Sequence, residues 1–479
     1  MVLVPFACVS SSTPPSAQQA FDGGGGFDAR SDFDGALPDG SLPDVFPPPP
    51  PPPADGGDAA VDAAPTTANV TVLGTNGLPK AGVAVVFQDA TGAILETKTT
   101  DALGRASRDV VAGSMVTVAV GGNGKRELFT FLGVKNGDEI LALDVGPVQN
   151  GFGTLVVDMP ASPPLGTLRY GAQAGDCQSG LIGQSPATVF LQARCQAKGS
   201  APVVAYAYDE ASNKSAWAFE KGNAISGDAG AAPVSGLGAW STTFGTLGFN
   251  LTNAPAGAGS VNVSNAEIAG GVPLHSTDFA AVTEGTATGK LVTLPGYAET
   301  SQPQVDVQLS SQNVLSVALL SKGIMPPADG ATLSFDLAQL LPQLTDGTAD
   351  LTDAAHPKIT WTSSAPFTGA DGGFARIAWS ATTDAGFQDD GWTFIFPATT
   401  TSVQGPQMPA SLADWVPPTG TSVFAPVVAV VEEDDIPSYE SFLGKYPLLS
   451  TIGTNGSYIY APLLPVGVTL RATYGYNPG

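Results

Sequence analysis

Histidine is nearly absent from this 479-residue chain, which contains only His275 and His356. A Ser-His-Asp or Cys-His catalytic site needs a histidine base that a third group orients, and the two histidines lack the spacing of a zinc site. No G-x-S-x-G segment, phosphate-binding loop or dinucleotide-binding glycine motif is present. The sequence therefore argues against the common hydrolytic, zinc-dependent and nucleotide-dependent activities. We expect no metal, no cofactor and two ordinary loop histidines.

Basic residues are also scarce, since 19 Lys and Arg face 43 Asp and Glu, for a net charge of -24. Charged residues make up only 13% of the chain, so the negative charge comes from the scarcity of Lys and Arg rather than from an abundance of carboxylates. Such a surface repels phosphate backbones and anionic lipid headgroups. We therefore expect no nucleic-acid partner and no membrane binding through basic residues.

Long apolar runs are missing as well, and no stretch reaches 18 uninterrupted apolar residues, so no transmembrane helix is expected. Glycine (58) and proline (41) are abundant. Frequent Thr, Val and Ser between Gly and Pro turns are typical of strands joined by short connections. The sequence predicts an all-β chain.

Three cysteines occur in the whole chain. Cys177 and Cys195 flank a predicted hairpin and are expected to form one disulfide. Closing a loop of that size stabilises a fold by roughly 3 kcal/mol in the chain-entropy model. The alternative is a pair of buried thiols. The disulfide interpretation leaves Cys8 as the odd cysteine.

Cys8 follows Pro5-Phe6-Ala7, a segment that resembles the end of the signal sequence of bacterial lipoproteins. The resemblance implies a lipid on Cys8 and a place on the bacterial outer membrane or outside the cell. The seven residues before Cys8 are too few to direct secretion. This interpretation therefore expects a translation start further upstream; in the alternative, Cys8 has no special role.

Residues 1–66 are predicted to be a signal remnant followed by a disordered Pro/Asp/Gly linker. The part from Ser10 to Thr66 has too little apolar surface to offset the entropy of ordering. As a coil its ends lie roughly 40 Å apart, and the stretch Pro47 to Pro53 is a stiff polyproline segment. The linker is expected to act as a tether.

Residues 67–145 are predicted to form seven short strands, which is typical of a β-sandwich. The segments 77–85, 99–106 and 110–118 resemble the carboxypeptidase regulatory-like domain and bacterial Ig-like repeats. That resemblance implies a non-catalytic, carbohydrate-binding-like sandwich, and sugar binding is a fold-level analogy only. Asp101 is expected to cap its own turn.

The remainder is predicted to form two further units, a β-sandwich with the disulfide at 146–275 and a larger all-β domain at 276–479. No fixed-period repeat is present, which argues against a solenoid or a propeller. The overall layout resembles surface lipoproteins of predatory soil bacteria such as myxobacteria, and this likeness implies no activity.

Acidic side chains beside tryptophan are the best candidates for a site. The predicted hairpin from Trp379 to Trp392 carries acids close to both rings, and carboxylates beside aromatic faces are a common way to hold a sugar. We expect weak ligand binding at Asp384, Asp389, Asp390 and Trp392. The alternative places both tryptophans in the core. Two further acidic groups, Glu432 to Asp435 and Asp346 with Asp350 and Asp353, are expected to be solvated surface. For Glu432 to Asp435 the alternative is a weak calcium site.

These observations favour a non-enzymatic protein, tethered to the cell surface or secreted, that binds a glycan or a surface protein. Any membrane association is expected only through a lipid anchor. One alternative is an extracellular hydrolase of polysaccharides that uses a carboxylate pair. Another is a structural spacer without a ligand.

Overall fold

The computed structural model describes residues 67–74, 77–122, 125–145, 153–160, 168–175, 177–179, 186–191, 200–209, 214–224, 234, 236–310, 315–383, 386–421, 423–424, 426–449 and 461–476. These residues form 27 strands and one α-helix, in agreement with the predicted all-β class. Cys8 and the whole predicted tether at 1–66 lie outside the described residues.

The first seven strands, all within residues 67–145, make a two-sheet sandwich. In one sheet β1 lies between β4 and β7, and the other contains β6, β5, β2 and β3 in that order. Valines at alternate positions of β1 and β5 point into the core between the sheets. The strands are β1 (Ala68–Leu73), β2 (Ala84–Gln88), β3 (Ile94–Thr99), β4 (Arg105–Arg108), β5 (Ser114–Gly122), β6 (Lys125–Val134) and β7 (Glu139–Leu143).

Short Asp-to-Gly turns join these strands. The Asp101 carboxylate accepts hydrogen bonds from Leu103 N at 2.8 Å and Arg105 N at 2.9 Å, which confirms that Asp101 caps its turn. Gly104 closes the same turn at a φ of 70°, a left-handed conformation that side chains with a Cβ rarely adopt. The turn chemistry therefore fixes where β3 ends and β4 begins.

The next group of strands covers residues 153–224. A four-stranded sheet has the order β10-β9-β12-β13, and β8 pairs with β11. Their apolar side chains share a small core that includes the buried Cys177. The strands are β8 (Gly153–Val157), β9 (Leu168–Ala174), β10 (Cys177–Gln178), β11 (Ala187–Leu191), β12 (Ser200–Asp209) and β13 (Lys214–Ala224).

A third group packs a sheet of order β17-β14-β20 against β16, β15, β18 and β19. The aromatic rings of Phe249 and Phe335 stack at 5.8 Å in the middle of this core. The strands are β14 (Gly245–Thr252), β15 (Ser260–Ala269), β16 (Val272–Ala281), β17 (Ala287–Thr293), β18 (Thr300–Ser310), β19 (Leu315–Lys322) and β20 (Thr332–Asp336).

The last group adds a sheet of order β21-β22-β25 and four strands of a larger sheet. It also contains the helix α1 (Tyr439–Leu449), which the sequence analysis missed. The strands are β21 (Leu344–Asp350), β22 (Lys358–Ser363), β23 (Gly372–Thr383), β24 (Gly386–Phe396), β25 (Ser402–Gln404), β26 (Val427–Glu433) and β27 (Thr469–Tyr476).

One twelve-stranded sheet runs through three of the four groups, in the order β16-β15-β18-β19-β27-β26-β23-β24-β6-β5-β2-β3. The pairing of β24 with β6 is parallel, with Asp389 opposite Lys125 and Ile395 opposite Phe131. Through this pairing, the sandwich at 67–145 and the C-terminal strands share hydrogen bonds and both flanking cores.

This sheet continues across one of the predicted domain boundaries. The boundary between 275 and 276 falls inside β16, which pairs with β15 from Val272 to Ala281. Because β15 also pairs with β18, the sheet continues across that point. We therefore correct this boundary: strand pairing connects the chain where the sequence was expected to divide it.

Candidate functional site

The predicted hairpin is formed by β23 and β24, with Trp379 opposite Asp390. Asp389, Asp390 and Trp392 all belong to β24, whereas Asp384 lies outside the described residues. Successive side chains of a strand point to opposite faces of a sheet. Asp390 and Trp392 therefore share one face, and Asp389 points to the other.

Asp390 is a partner in a buried ion pair. Its two oxygens accept hydrogen bonds from Arg126 Nε at 3.0 Å and Nη2 at 2.7 Å, and its side chain is 2% exposed. The parallel register places Asp390 directly opposite Arg126 on β6. A bidentate pair of this kind fixes the relative position of two strands.

The same guanidinium also reaches the surface. Arg126 Nη1 donates to Asp414 Oδ2 at 2.8 Å, and Nη2 donates to the Asp414 carbonyl oxygen at 2.7 Å. The guanidinium lies 5.3 Å from the centre of the half-buried Trp415 ring. Asp414 itself is 73% exposed. We call Arg126, Asp390, Asp414 and Trp415 the Arg126 cluster.

Hydrogen bonding to Asp390 raises the pKa of Arg126 above its ordinary value, with further contributions from the charges of Asp390 and Asp414. The guanidinium is therefore a permanent cation between two carboxylates. No sequence pattern singled out Arg126, Asp414 and Trp415 as site residues. Only the adjacent acid and aromatic residue in Ala413-Asp414-Trp415 could have indicated them, because 288 positions separate Arg126 from Asp414.

A second buried ion pair lies on the opposite face of β24. Glu127 accepts hydrogen bonds from Arg376 Nε and Nη2, both at 3.1 Å, and from Thr393 Oγ1 at 2.7 Å. Its side chain is fully buried. Gly391 lies directly opposite Glu127, and a Cβ at that position would overlap the carboxylate. A glycine is therefore required for the pair to form.

Trp392 lies in the core. Its side chain is fully buried, and Nε1 donates to Thr130 Oγ1 at 2.8 Å. The Thr130 hydroxyl lies 2.9 Å from that of Thr117, on the next strand. Because no face of the ring meets solvent, Trp392 cannot stack on a sugar. The ligand-binding expectation for Trp392 is corrected, and the core alternative describes its position.

Asp389 is half-buried and accepts a hydrogen bond from Ser380 Oγ, its cross-strand neighbour, at 2.8 Å. Strand alternation points it away from Asp390. The two carboxylates therefore do not form a shared pair on one face of β24.

Three of the acidic residues from Glu432 to Asp435 form ion pairs with Arg471 or Lys445. Arg471 on β27 binds Glu432 and lies 3.3 Å from Asp434 Oδ1, and Lys445 Nζ lies 3.5 Å from Glu433 Oε1. Asp371 joins this group by accepting from Glu433 N at 2.7 Å. Burial raises the pKa of Asp371 to about 6.

The third acidic group shapes a surface turn. Asp350 accepts from Thr352 N at 2.9 Å, and Asp353 Oδ2 lies 2.9 Å from His356 Nδ1. His356 thus lies in the predicted loop. His275, by contrast, lies in β16 opposite Ala266, so its loop prediction was wrong. The Pro273-Leu274-His275 segment is edge strand, where proline is tolerated.

No group of three His, Cys, Asp or Glu side chains within the described ranges is arranged to hold a metal ion. Cys177 is buried in β10, and Cys195 lies outside the described residues, so their disulfide stays a prediction. In the part of the chain that the structure describes, no helix has the length and apolar character to span a bilayer.

Comparisons with known proteins give no family. No protein-family model matches the chain, and no curated protein matches its sequence. The resemblance to the carboxypeptidase regulatory-like domain therefore stays a prediction.

Similar solved structures include the TIE protein of Bacillus anthracis, with 12% identity and a TM-score of 0.15 over 57% of this chain and 50% of that one. The chain thus spans half the length of the TIE protein. BcpA, the major pilin subunit of Bacillus cereus, gives 10% identity and a TM-score of 0.14 over 56% and 97%. The FN1–FN3 domains of chicken CNTN1 give 10% and 0.12 over 59% and 93%. TM-scores this low carry no argument about function.

Proposed function

We propose that this chain is a non-enzymatic β-sandwich protein of the cell surface or the extracellular space that binds a glycan or a surface protein through the Arg126 cluster. The observation that carries the proposal is the exposed Asp414 carboxylate beside the half-buried Trp415 ring. An acid next to an aromatic face offers a sugar both hydrogen-bond acceptors and a stacking surface. The ion pair with Asp390 anchors this surface to two strands.

The positions of the acids favour binding over hydrolysis. A glycosidase needs two carboxyl groups that face one bond of the substrate. Both oxygens of Asp390 accept from Arg126 inside the protein, and Glu432 is bound to Arg471. These carboxylates hold strands together and do not face one another across a groove.

A glycan array probed with the full chain tests the binding role. We expect Asp414→Asn and Trp415→Leu to lose at least about tenfold in binding, which is the effect of removing one good polar or stacking contact. Phe279→Ala is the matched control, because Phe279 is an exposed aromatic side chain on the distant edge strand β16. Equal binding by all variants would exclude the Arg126 cluster, and no binding by the unaltered chain would exclude a glycan ligand, leaving a surface protein or the spacer alternative.

The surface location rests on the sequence alone, through Cys8 and the linker that follows it. Metabolic labelling with an alkyne fatty acid tests the lipid anchor. We expect label on the unaltered chain and none on Cys8→Ser; label that persists in the variant would rule out Cys8 as the attachment site.

A further inference from the structure

The chain enters the sandwich of β1 to β7, which we call the first sandwich, beside the turn that joins β6 to β7. The Thr67 carbonyl oxygen accepts from Gly137 N at 3.0 Å, and Asn69 N donates to the Asp138 carbonyl oxygen at 2.9 Å. Asn69 Nδ2 also donates to Glu139 Oε1 at 2.7 Å. The N-terminal end of β1 therefore lies at the end of the first sandwich where β6 finishes and β7 begins.

The Arg126 cluster lies at the opposite end of the first sandwich. Asp144 N donates to the carbonyl oxygen of Leu73, the last residue of β1, at 2.8 Å, and Asp144 Oδ1 accepts from Gly121 N at 2.9 Å. Gly121 is the cross-strand partner of Arg126. On β6, Arg126 precedes Val134 by eight positions, which corresponds to roughly 26 Å of strand. A pull between the start of β1 and the Arg126 cluster is therefore directed along the strands.

β1 is the central strand of its sheet and is held on both sides. It pairs with β7 in parallel over five residues and with β4 in antiparallel over four. Ala68, Val70 and Val72 point into the core, and none of them is exposed to solvent. Because the hydrogen bonds of a sheet run between strands, a pull along β1 loads all of them together. The three buried side chains must leave the core in the same step.

We propose that the first sandwich is a mechanical coupling, which carries force from residues 1–66 to a ligand held at the Arg126 cluster while β1 resists that force lengthwise. This inference rests on the proposed binding at the Arg126 cluster and on attachment through residues 1–66. Force on those residues enters the described chain at Thr67, because the backbone is continuous there. It passes from β1 to β6 through the core that both strands share. A ligand on Asp414 pulls on β6 directly, since Asp414 binds Arg126.

Single-molecule pulling on the full chain tests the coupling through the direction of the force. One handle is fixed to the N-terminus, and the second is a clickable non-natural residue in place of Gly122 or Glu139. The Gly122 handle pulls β1 lengthwise from the end that holds the Arg126 cluster, and a side chain there meets nothing within 4 Å. Glu139 is exposed and lies opposite Asn69, so a handle at Glu139 peels β1 from β7 at their neighbouring ends.

The two directions are expected to need different forces. Peeling breaks the β1–β7 hydrogen bonds one after another, whereas the lengthwise pull must break them together. At equal loading rate we expect the lengthwise rupture force to be at least about twice the peeling force. Equal forces, or a lower lengthwise force, would overturn the proposal. The measurement uses no ligand, so a failure of the coupling and a failure of glycan binding are read from different experiments.

Two proline variants test whether β1 bears the force. Asn69 lies opposite Ser107 of β4 but donates its N–H toward β7. By alternation Thr71 N also faces β7, and Ser107 N faces away from β1. Thr71→Pro removes a hydrogen bond of the β1–β7 ladder and is expected to lower the lengthwise force by roughly half. Ser107→Pro is the matched control at a sheet edge, where proline is tolerated, and is expected to leave that force unchanged.

An unchanged lengthwise force in Thr71→Pro would overturn the role of β1. Should that variant not fold, Val70→Ala replaces it. The smaller side chain leaves the core more easily, so the lengthwise force is expected to fall there too. A Val70→Ala chain that resists the lengthwise pull as strongly as the unaltered chain would overturn the proposal as well.

Discussion

Two buried glutamates of the twelve-stranded sheet, Glu127 and Glu267, differ in what surrounds their charge. Glu127 meets the Arg376 guanidinium in a bidentate pair. Glu267 accepts only from the backbone N–H of Leu294 among its recorded hydrogen bonds, at 3.1 and 3.2 Å. The first side chain is therefore stabilised as an ion, and the second is stabilised when it carries a proton.

Loss of the Arg376 cation is expected to be costly. Arg376→Met leaves the Glu127 carboxylate buried without its partner, which destabilises proteins by about 3–5 kcal/mol. Urea unfolding of the two chains measures this difference. The double variant Glu127→Leu with Arg376→Met is the control and is expected to regain most of the loss. A single variant as stable as the unaltered chain would contradict the role of the pair.

Glu267 makes stability depend on pH. Burial raises its pKa from 4.5 to about 8, partly opposed by the Leu294 bond. A carboxyl group whose pKa is raised by folding stabilises the fold fully below its unfolded pKa, and this contribution is lost as the pH rises toward 8. We expect the unaltered chain to lose up to about 5 kcal/mol through this group between about pH 4.5 and 8.

The comparison of Glu267→Gln with the unaltered chain isolates the loss of stability that comes from Glu267, because every other titratable group is the same in both chains. Free energies of unfolding from urea titrations at several pH values give the difference. We expect the two curves to converge at low pH and to separate as the pH rises, with the glutamine variant more stable. Parallel curves would show that Glu267 does not titrate in this range.

At the scale of elements, β24 connects the two halves of the twelve-stranded sheet because it pairs with β23 on one side and with β6 on the other. The side chains on its two faces make different contacts. Trp392 and Phe394 stack at 5.2 Å in one core, while Gly391 leaves room for the Glu127 pair on the other face. The strand therefore tolerates little change at either face.

A methyl group at Gly391 is expected to separate the ion pair. Gly391→Ala places a Cβ against the Glu127 carboxylate, and overpacking of this kind costs about 1–3 kcal/mol. Gly347→Ala is the matched control, since the space beside Gly347 in β21 is open. Thermal unfolding is expected to show a clear loss for the first variant and almost none for the second. Equal losses would contradict the steric argument.

A hydroxyl group at the first turn of the helix α1 binds two strands. Tyr439 Oη donates to the carbonyl oxygens of Leu132 at 2.8 Å and Ile395 at 3.1 Å, which lie at the ends of β6 and β24. The hydroxyl is buried, and burial raises the pKa of Tyr439 well above its ordinary value. The helix therefore binds both parallel strands, β6 and β24, at one end of their pairing.

At the scale of the whole molecule, the parallel pairing of β24 with β6 joins residues that lie about half the chain apart. Leu128 from the first sandwich and Phe394 from the last strands belong to one core, although 266 positions separate them. Segments that share a sheet and a core usually unfold together. The first sandwich and the C-terminal strands are thus expected to behave as one cooperative unit.

Calorimetry tests this coupling. Leu128→Ala and Phe394→Ala each remove a fully buried side chain, at a cost of about 2–5 kcal/mol. We expect both variants to lower the temperature of the same transition. Val189→Ala is the control, because Val189 lies in the separate core of β8 to β13. Shifts of two different transitions by Leu128→Ala and Phe394→Ala would show that the two segments unfold separately.

The sequence by itself determined the fold class and most local structure. Residues 67–145 form the seven short strands that were predicted, because Asp-to-Gly turns and alternating valines act over a few residues. The cap at Asp101 followed from the same local chemistry. The tether, the lipid on Cys8 and the disulfide remain predictions from sequence alone.

Only the tertiary structure decided how the strands assemble and what the acids do. The partners of Asp390 and Glu127 lie 264 and 249 positions away, so no local pattern could reveal that these carboxylates form internal ion pairs. The parallel pairing of β6 with β24 and the continuity of the sheet through β16 likewise depend on residues that no local pattern connects. Long-range pairing depends on which edges and cores meet in space, whereas sequence patterns report which residues are neighbours along the chain.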